Sequence, residues 1–405
     1  MRRIYLDDAG SAPVLSEVEA AIRDVPAGNP SSPHAEGRAA RAALDRARDL
    51  AAGALGAYRT EVTFVSSGTE ATNLALFGAA ARLPKGARIV TWSAEHQSVL
   101  AAIRRLQASG RDVVIAGVDG AARVDIDAIT PGTDLVSVGL ANNEVGTIQP
   151  VAEVIARAHQ VGALVHVDAC GGTRWIAPPA DADLVSISGH KLGAGRGGLL
   201  LVRDGVRIDP LFFGGPQEWG RRAGQEDAVS AMAVAAALAA VSAVRESHAR
   251  RARGQAGLLE RALLELGGTI TGREPRLPNF ASCAFAGRRG EDVLIALDLA
   301  GVAASSGSAC ASGSLDPSHV LLAMGLSLEE ALGSLRLTTG YATTDDEISR
   351  AIVVLRTVLP IHSEVSTQSK EEPVLPLHGE VSTQSTEGPV RTSTAEHSTS
   401  SRLPS

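Results

Sequence analysis

Short runs of β-branched and aliphatic residues alternate with longer stretches of Ala, Leu and Arg over the N-terminal half of the chain. Seven runs predict strands: VTFV (62–65), RIVT (88–91), DVVIA (112–116), DLVSVGL (134–140), ALVHVD (163–168), DLVSIS (183–188) and GLLLV (198–202). Helix-length segments at 70–83, 95–109 and 150–161 lie between several of them. The runs are apolar almost throughout instead of alternating. That marks strands buried on both faces of a mainly parallel sheet, with helices on either side. The link from 183–188 to 198–202 is too short for a crossover helix, so one antiparallel neighbour is expected there. A long helical region follows, over 226–266. Its stretch AVSAMAVAAALAAVSAV (228–244) is mostly alanine and shorter than the ~20 residues a membrane span needs, so it reads as a buried helix. After GGTITG the pattern changes. NFASCAFAG (279–287) and LRLTTG (335–340) read as strands with helices around 291–299 and 344–358, a smaller α+β unit.

Beyond residue 361 the chain is different again. HSEVSTQSKEEPV (362–374) recurs as HGEVSTQSTEGPV (378–390), and the whole tail lacks aromatic residues. Such a segment cannot bury enough apolar surface to offset the entropy of ordering, so a disordered extension is expected. The expected layout is therefore an N-terminal segment, 1–14, joining the small domain; a large domain, 15–250; a small α+β domain, 251–361; and the tail, 362–405. The 405 residues suffice for two or three domains of ~150 residues. Hydrophobic residues make up 44% but aromatics only 3%, so alanine and glycine must fill the core and helices must pack closely. The net charge of −7, with no basic stripe, argues against direct nucleic-acid binding. Three cysteines without C-x-x-C spacing suit neither a disulfide framework nor a zinc site. The start, MRRIYLDDAG, has no apolar core of a secretory signal. A soluble, cytoplasmic protein with no membrane association is expected.

The stretch SISGHKLGAGRGGLLLV (186–202) carries two conflicting signals. Gly193, Gly195 and Gly198 match the glycine spacing of a dinucleotide-binding loop, but that fingerprint needs a helix after the glycines and here a strand follows. The glycines are read as a tight strand-to-strand connection. Asp168 ends one strand, and Lys191 follows the next one 23 residues later. Neighbouring parallel strands would bring both to the sheet rim where α/β folds take ligands. A lysine and a carboxylate there suit pyridoxal phosphate: the amine forms a Schiff base and the carboxylate keeps the pyridine nitrogen protonated. A strand-end Asp and an exposed Lys is the plainer alternative. SSGTEATN (66–73) offers backbone N–H groups and a hydroxyl to a phosphate at a helix start, or else an ordinary N-cap. AEHQSVL (94–100) adds His96 and ANNEVG (141–146) adds two amides, each after a further strand.

Together with YLDDAGSAP (5–13), GNPSSPH (28–34), HVDA, SGHK, SSGSACASGSLDPSHVL (305–321) and LRLTTG, these motifs run in order over roughly residues 4 to 358. The sequence resembles the cysteine desulfurases, class V aminotransferase-group enzymes of pyridoxal phosphate fold-type I. The resemblance implies an α/β large domain on a mainly parallel seven-stranded sheet, with a smaller α+β C-terminal domain. It implies that Lys191 binds the cofactor covalently and that Gly68, Thr69, Ser188 and His190 contact its phosphate. His96 would stack on the ring and assist proton transfer, Asn143 would lie beside the phenolic oxygen, and Asp168 would partner the pyridine nitrogen. Arg336 would pair with the substrate carboxylate; a structural ion pair is the other reading of a strand arginine. Asn29 falls in a segment like the substrate-side loop, where a simple turn role fits equally. Cys310 would be the nucleophile that takes sulfur from L-cysteine as a persulfide, leaving L-alanine, and passes it to a sulfur-acceptor protein. Cys283 reads as a buried small residue and Cys170 as local packing. A homodimer is implied too. Three positions depart from the family pattern: Gly171 where Gln is usual, Gln225 where Thr is usual, and Ser11-Ala12 where paired threonines are usual. Another class V lyase or aminotransferase, selenocysteine lyase-like for example, is the alternative activity, and a non-catalytic scaffold the alternative from a different class.

Overall fold

The computed structural model describes residues 3–307 and 317–359, so Cys310 and the repeat-bearing tail lie outside the described residues. The first half runs β1 (Ile4–Tyr5), α1 (Ser16–Arg23), α2 (Ala35–Leu55), β2 (Val62–Val65), α3 (Gly68–Arg82), β3 (Arg88–Trp92), α4 (Gln97–Ala108), β4 (Asp112–Ala116), β5 (Thr133–Gly139) and α5 (Val151–Gln160). Next come β6 (Leu164–Asp168), β7 (Leu184–Ser188), the single turn α6 (Gly189–Leu192), β8 (Gly198–Val202) and the long α7 (Ala228–Glu265). The remainder is β9 (Thr269–Ile270), β10 (Phe280–Ala284), α8 (Gly290–Leu299), β11 (Val302–Ala303), α9 (His319–Ala323), α10 (Leu328–Leu332), β12 (Ser334–Thr338) and α11 (Asp345–Val358).

The seven expected strands form one sheet in the order β2-β8-β7-β6-β5-β3-β4. All pairings are parallel except those of β8, which runs antiparallel to both β2 and β7. The glycine-rich loop before β8 is the reason the connection can be so short. Gly193, Gly195 and Gly197 all take left-handed backbone conformations, which glycine adopts without steric cost. At Gly198 a side chain would collide with the Ser67 backbone. No helix follows, so the loop joins strands and cradles no dinucleotide.

Each face of the sheet carries its own apolar layer. On one face Val136, Val138, Val165 and Val167 pack under α2, α5 and the first half of α7. On the other, Ile89, Leu135, Leu184 and Leu200 pack under α3 and α4. Helix α2 was not apparent in the chain pattern because its buried stripe is small: Ala40, Ala43, Leu44, Ala47 and Ala51 at helical spacing. It lies along α7, whose buried N-terminal half is mostly alanine: Ala231, Ala233, Ala235, Ala236 and Ala237. Alanine-on-alanine packing lets the two helix axes approach closely, as the aromatic-poor composition required.

Helix α7 is long and apolar enough to cross a membrane by length and composition. Its N-terminal half lies in the core of the large sheet, and Leu259 and Leu263 lie in a second core with β10, β12 and α11. The boundary expected at residue 250 therefore falls inside one continuous helix. The second core covers a three-stranded antiparallel sheet, β12-β10-β9. The N-terminal segment joins it: β1 pairs with β11, and Asp7 bridges to Thr338.

Because Ala47 is fully buried in this close contact, Ala47→Leu overpacks the α2–α7 seam. It is expected to destabilise the fold by about 1–3 kcal/mol in urea unfolding. An unchanged midpoint would contradict the packing described.

Candidate active site

The C-terminal ends of β3, β5, β6 and β7 open on one side of the sheet into a cavity of about 310 Å³. Gly68, Thr69, His96, Asn143 and Asp168 line it, as do Ser188, His190, Lys191 and Arg336. Asn29 does not. Its Oδ1 accepts the Ser31 N–H at 2.9 Å, the turn role.

Register explains the convergence. Asp168 is the last residue of β6, paired with Gly139 of β5 and Ser186 of β7. Lys191 sits in α6, the turn that directly follows β7. Beside it the Ser188 hydroxyl and His190 Nδ1 are 2.8 Å apart. Helix α3 begins at the same rim. Ser67 is its ordinary cap, accepting the Glu70 N–H at 3.2 Å, while Gly68 and Thr69 face the cavity. A Cβ on Gly68 would stand 2.9 Å from the Ser188 Cβ, so only glycine lets the helix start this close to β7.

Burial alone would raise the Asp168 carboxyl. Instead His96, hydrogen bonds from Cys170 and the nearby His166 hold it below the usual carboxylate range. Its Oδ1 accepts the Cys170 N–H at 3.0 Å. Two residues earlier on the same strand, His166 is fully buried between the Ser137 and Ser186 hydroxyls, at 2.9 and 2.8 Å. Burial pushes His166 down to about 4, so it stays neutral. The cavity therefore holds a carboxyl kept in its ionised form by its neighbours.

His96 caps α4. Its Nδ1 accepts the Ser98 N–H at 3.1 Å and lies 2.7 Å from the Ser98 hydroxyl, which assigns the ring proton to Nε2. Burial and then the Lys191 charge hold this imidazole below the ordinary histidine value. His190 is lowered in the same way, by burial, Lys191 and His96. Arg336 is almost wholly buried. It donates from Nη1 to the Asn143 carbonyl at 2.7 Å and from Nη2 to Asp7 Oδ1 at 2.9 Å, yet still lines the cavity. Its Nε finds no acceptor among the described residues.

Three features of the site carried no clear signal in the chain. Glu95, one residue before His96, also lines the cavity, and its Oε1 accepts the Gly139 N–H at 3.0 Å. Asp7 reaches Arg336 across 329 residues. Cys170, expected only to pack locally, is a cavity residue whose thiol is pushed well up by burial and by Asp168. Gly171 leaves open the space beside Asn143, since a Cβ there would meet only ordinary contacts.

The donor set fits pyridoxal phosphate. A helix start with two hydroxyls and an imidazole suits a phosphate, a primary amine suits an aldehyde, and a buried ionised carboxylate suits a pyridinium. The guanidinium of Arg336, which lines the cavity, adds N–H donors for a carboxylate.

Glu95 generates a pH dependence. Burial, reinforced by Asp168, raises its carboxyl from 4.5 to about 8. The folded chain thus binds this proton more tightly than the unfolded chain. The stability that results is complete below 4.5 and is lost as pH rises through about 8. Without added cofactor, Glu95→Gln should flatten the fall of melting temperature over that window. Parallel curves for parent and variant would contradict the assignment.

Comparison with known proteins follows the same lines. Residues 4–351 match the family model described as aminotransferase class-V. The cysteine desulfurase of Trichormus azollae is 39% identical over 377 residues, covering 88% of this chain and 92% of its own. A solved NifS-like protein superposes with a TM-score of 0.82 at 30% identity, over 88% of this chain and 99% of its own. The structure titled SspA in complex with cysteine superposes at 0.72 with 28% identity, over 84% of this chain and all of its own. The chain belongs to the class-V aminotransferase family and, within it, to the cysteine desulfurases.

Proposed function

We propose that this cavity converts L-cysteine to L-alanine and delivers the sulfur to Cys310. The observation that carries the reading is the meeting of Lys191, ionised Asp168 and Arg336 in one cavity, drawn from the turn after β7, the end of β6 and the middle of β12. Pyridoxal phosphate, held by Lys191 with its phosphate at Gly68, Thr69, Ser188 and His190, supplies an electron sink for the substrate α-carbon. Asp168, held ionised, would accept the pyridinium N–H, and Asn143 would serve the phenolic oxygen. Arg336 binds the substrate carboxylate through guanidinium N–H groups that Asp7 and the Asn143 carbonyl leave unused. With Nδ1 engaged by Ser98, proton exchange at His96 runs through Nε2.

The sulfur step balances without a further reagent. The Cys310 thiolate attacks the substrate sulfur, an S–S bond forms, and the Cβ–S bond breaks. The electron pair stays with the carbon fragment, which gains protons and leaves as alanine. A sulfur-acceptor protein then takes the terminal sulfur of the Cys310 persulfide.

The proposal extends to a cytoplasmic homodimer. Phe212, Phe213 and Trp219 are exposed near Gln225, an apolar surface that a second copy would cover. A monomer by light scattering would remove this part of the reading.

Two substitutions test the chemistry. Cys310→Ser should lower sulfide and alanine release from L-cysteine to background while the bound cofactor's absorbance is retained; release at the parent rate would exclude a persulfide on Cys310. Arg336→Gln should raise KM for L-cysteine roughly ten- to a hundredfold, the worth of a charge-assisted hydrogen bond. An unchanged KM would assign the arginine to Asp7 alone.

A further inference from the structure

Helix α9 is wedged between the two loops that carry His96 and Asn143. Its Val320 and Leu321, with Met324 just after it, share one apolar cluster with Ala94 and Val145 from those loops. The two residues at its start have different partners. Ser318, nearly fully buried, accepts the Leu321 N–H at 3.1 Å as the helix cap and donates its own proton to the Glu144 carboxylate. His319 reaches the other loop. Its Nε2 donates to the Glu95 carbonyl at 2.9 Å, and its Nδ1 accepts the Gln97 side-chain amide at 3.1 Å. A neutral imidazole with one proton, on Nε2, satisfies both partners. The residues immediately before and after His96 are thus held by a single ring more than 220 positions away in sequence.

We propose that His319 is a positioning residue for His96. By gripping residues 95 and 97 it fixes the first turn of α4, and with it the direction in which the His96 imidazole enters the cavity. The inference rests on the reading of His96 as the residue that meets the cofactor ring and exchanges a proton. The contacts of the α4 cap from His96 to Ser98 run within the loop itself. His319 ties that loop to α9, and Ser318 ties α9 to the Asn143–Glu144 loop on the opposite wall.

The test uses the full chain loaded with pyridoxal phosphate, in His319→Ala, His319→Gln, His96→Ala and double-alanine forms. Visible circular dichroism of the bound cofactor is read alongside kcat and KM for L-cysteine. His319→Ala should lower kcat on the order of a hundredfold, as misplacement of a catalytic group does, and change KM far less. It should also alter the cofactor's dichroic band as His96→Ala does. His319→Gln, which can still donate and accept, should recover most of the loss. Because His319 acts through His96, the double variant should be no worse than His96→Ala, where an independent structural role would give additive losses. A parent-like band and kcat in His319→Ala, or additive losses, would overturn the inference. A parent-like His96→Ala would instead overturn the reading of His96 on which it rests. If His319→Ala fails to fold by far-ultraviolet dichroism, Gln97→Ala removes one of the two grips at an exposed position. It should lower kcat in the same direction, and no change there would count against His319.

Discussion

The side-by-side parallel pairing of β5, β6 and β7 sets where every group at the cavity stands. Asp168 faces Gly139 on one neighbour and Ser186 on the other. A slip of one residue would turn Asp168 to the opposite face, into the valine layer under α2 and α7. The register also places Lys191 one turn past the end of β7 and brings the start of α3 against Ser188. Two close approaches enforce it: Gly68 against Ser188, and Gly198 against the Ser67 backbone, each possible only without a side chain.

On that frame the electrostatics divide the carboxyls by task. Asp168 is buried yet held ionised by His96 and by hydrogen bonds from Cys170. Glu95, a short distance along the same rim, has one backbone N–H and no cation among the causes that set its acidity, so burial keeps its proton on. Two carboxyls on one wall thus sit in opposite states, the arrangement that separates an ionised partner for a ring from a neutral spacer. Arg336 shows the same economy. Asp7 and the Asn143 carbonyl hold its guanidinium flat against the wall, which removes the entropy a free arginine would lose on gripping a carboxylate.

The large sheet was legible in the sequence almost to the residue, because strands buried on both faces must be continuously apolar. VTFV and GLLLV, buried throughout, coincide with β2 and β8; DVVIA also coincides with β4, although that edge strand is part-exposed along its length. Helix α2 escaped because alanine carries little apolar signal against the arginines between its turns. The helical region expected over 226–266 matches α7, but the domain boundary placed at 250 divides it, whereas Ala228–Glu265 is one helix that serves both cores. At the cavity, residues that follow a strand within a recognisable motif were readable: His96, Asp168, Lys191. Residues whose role arises from contact across the chain were not. Asp7 meets Arg336, and His319 meets Glu95 and Gln97, over separations that no local pattern records. The choice posed for Arg336, substrate carboxylate or ion pair, was a false alternative, since one guanidinium serves an ion pair while facing the cavity.

The central claim is a covalent link between one amine and pyridoxal phosphate, and the composition makes it unusually easy to test. The chain has only three lysines, Lys85, Lys191 and Lys370. Borohydride reduction of the protein after incubation with pyridoxal phosphate, followed by peptide mass mapping, locates the pyridoxyl group directly. The account predicts label on the Lys191 peptide alone, in one equivalent per chain. Label on Lys85 or Lys370 with Lys191 unmodified, or no label at all, would contradict it.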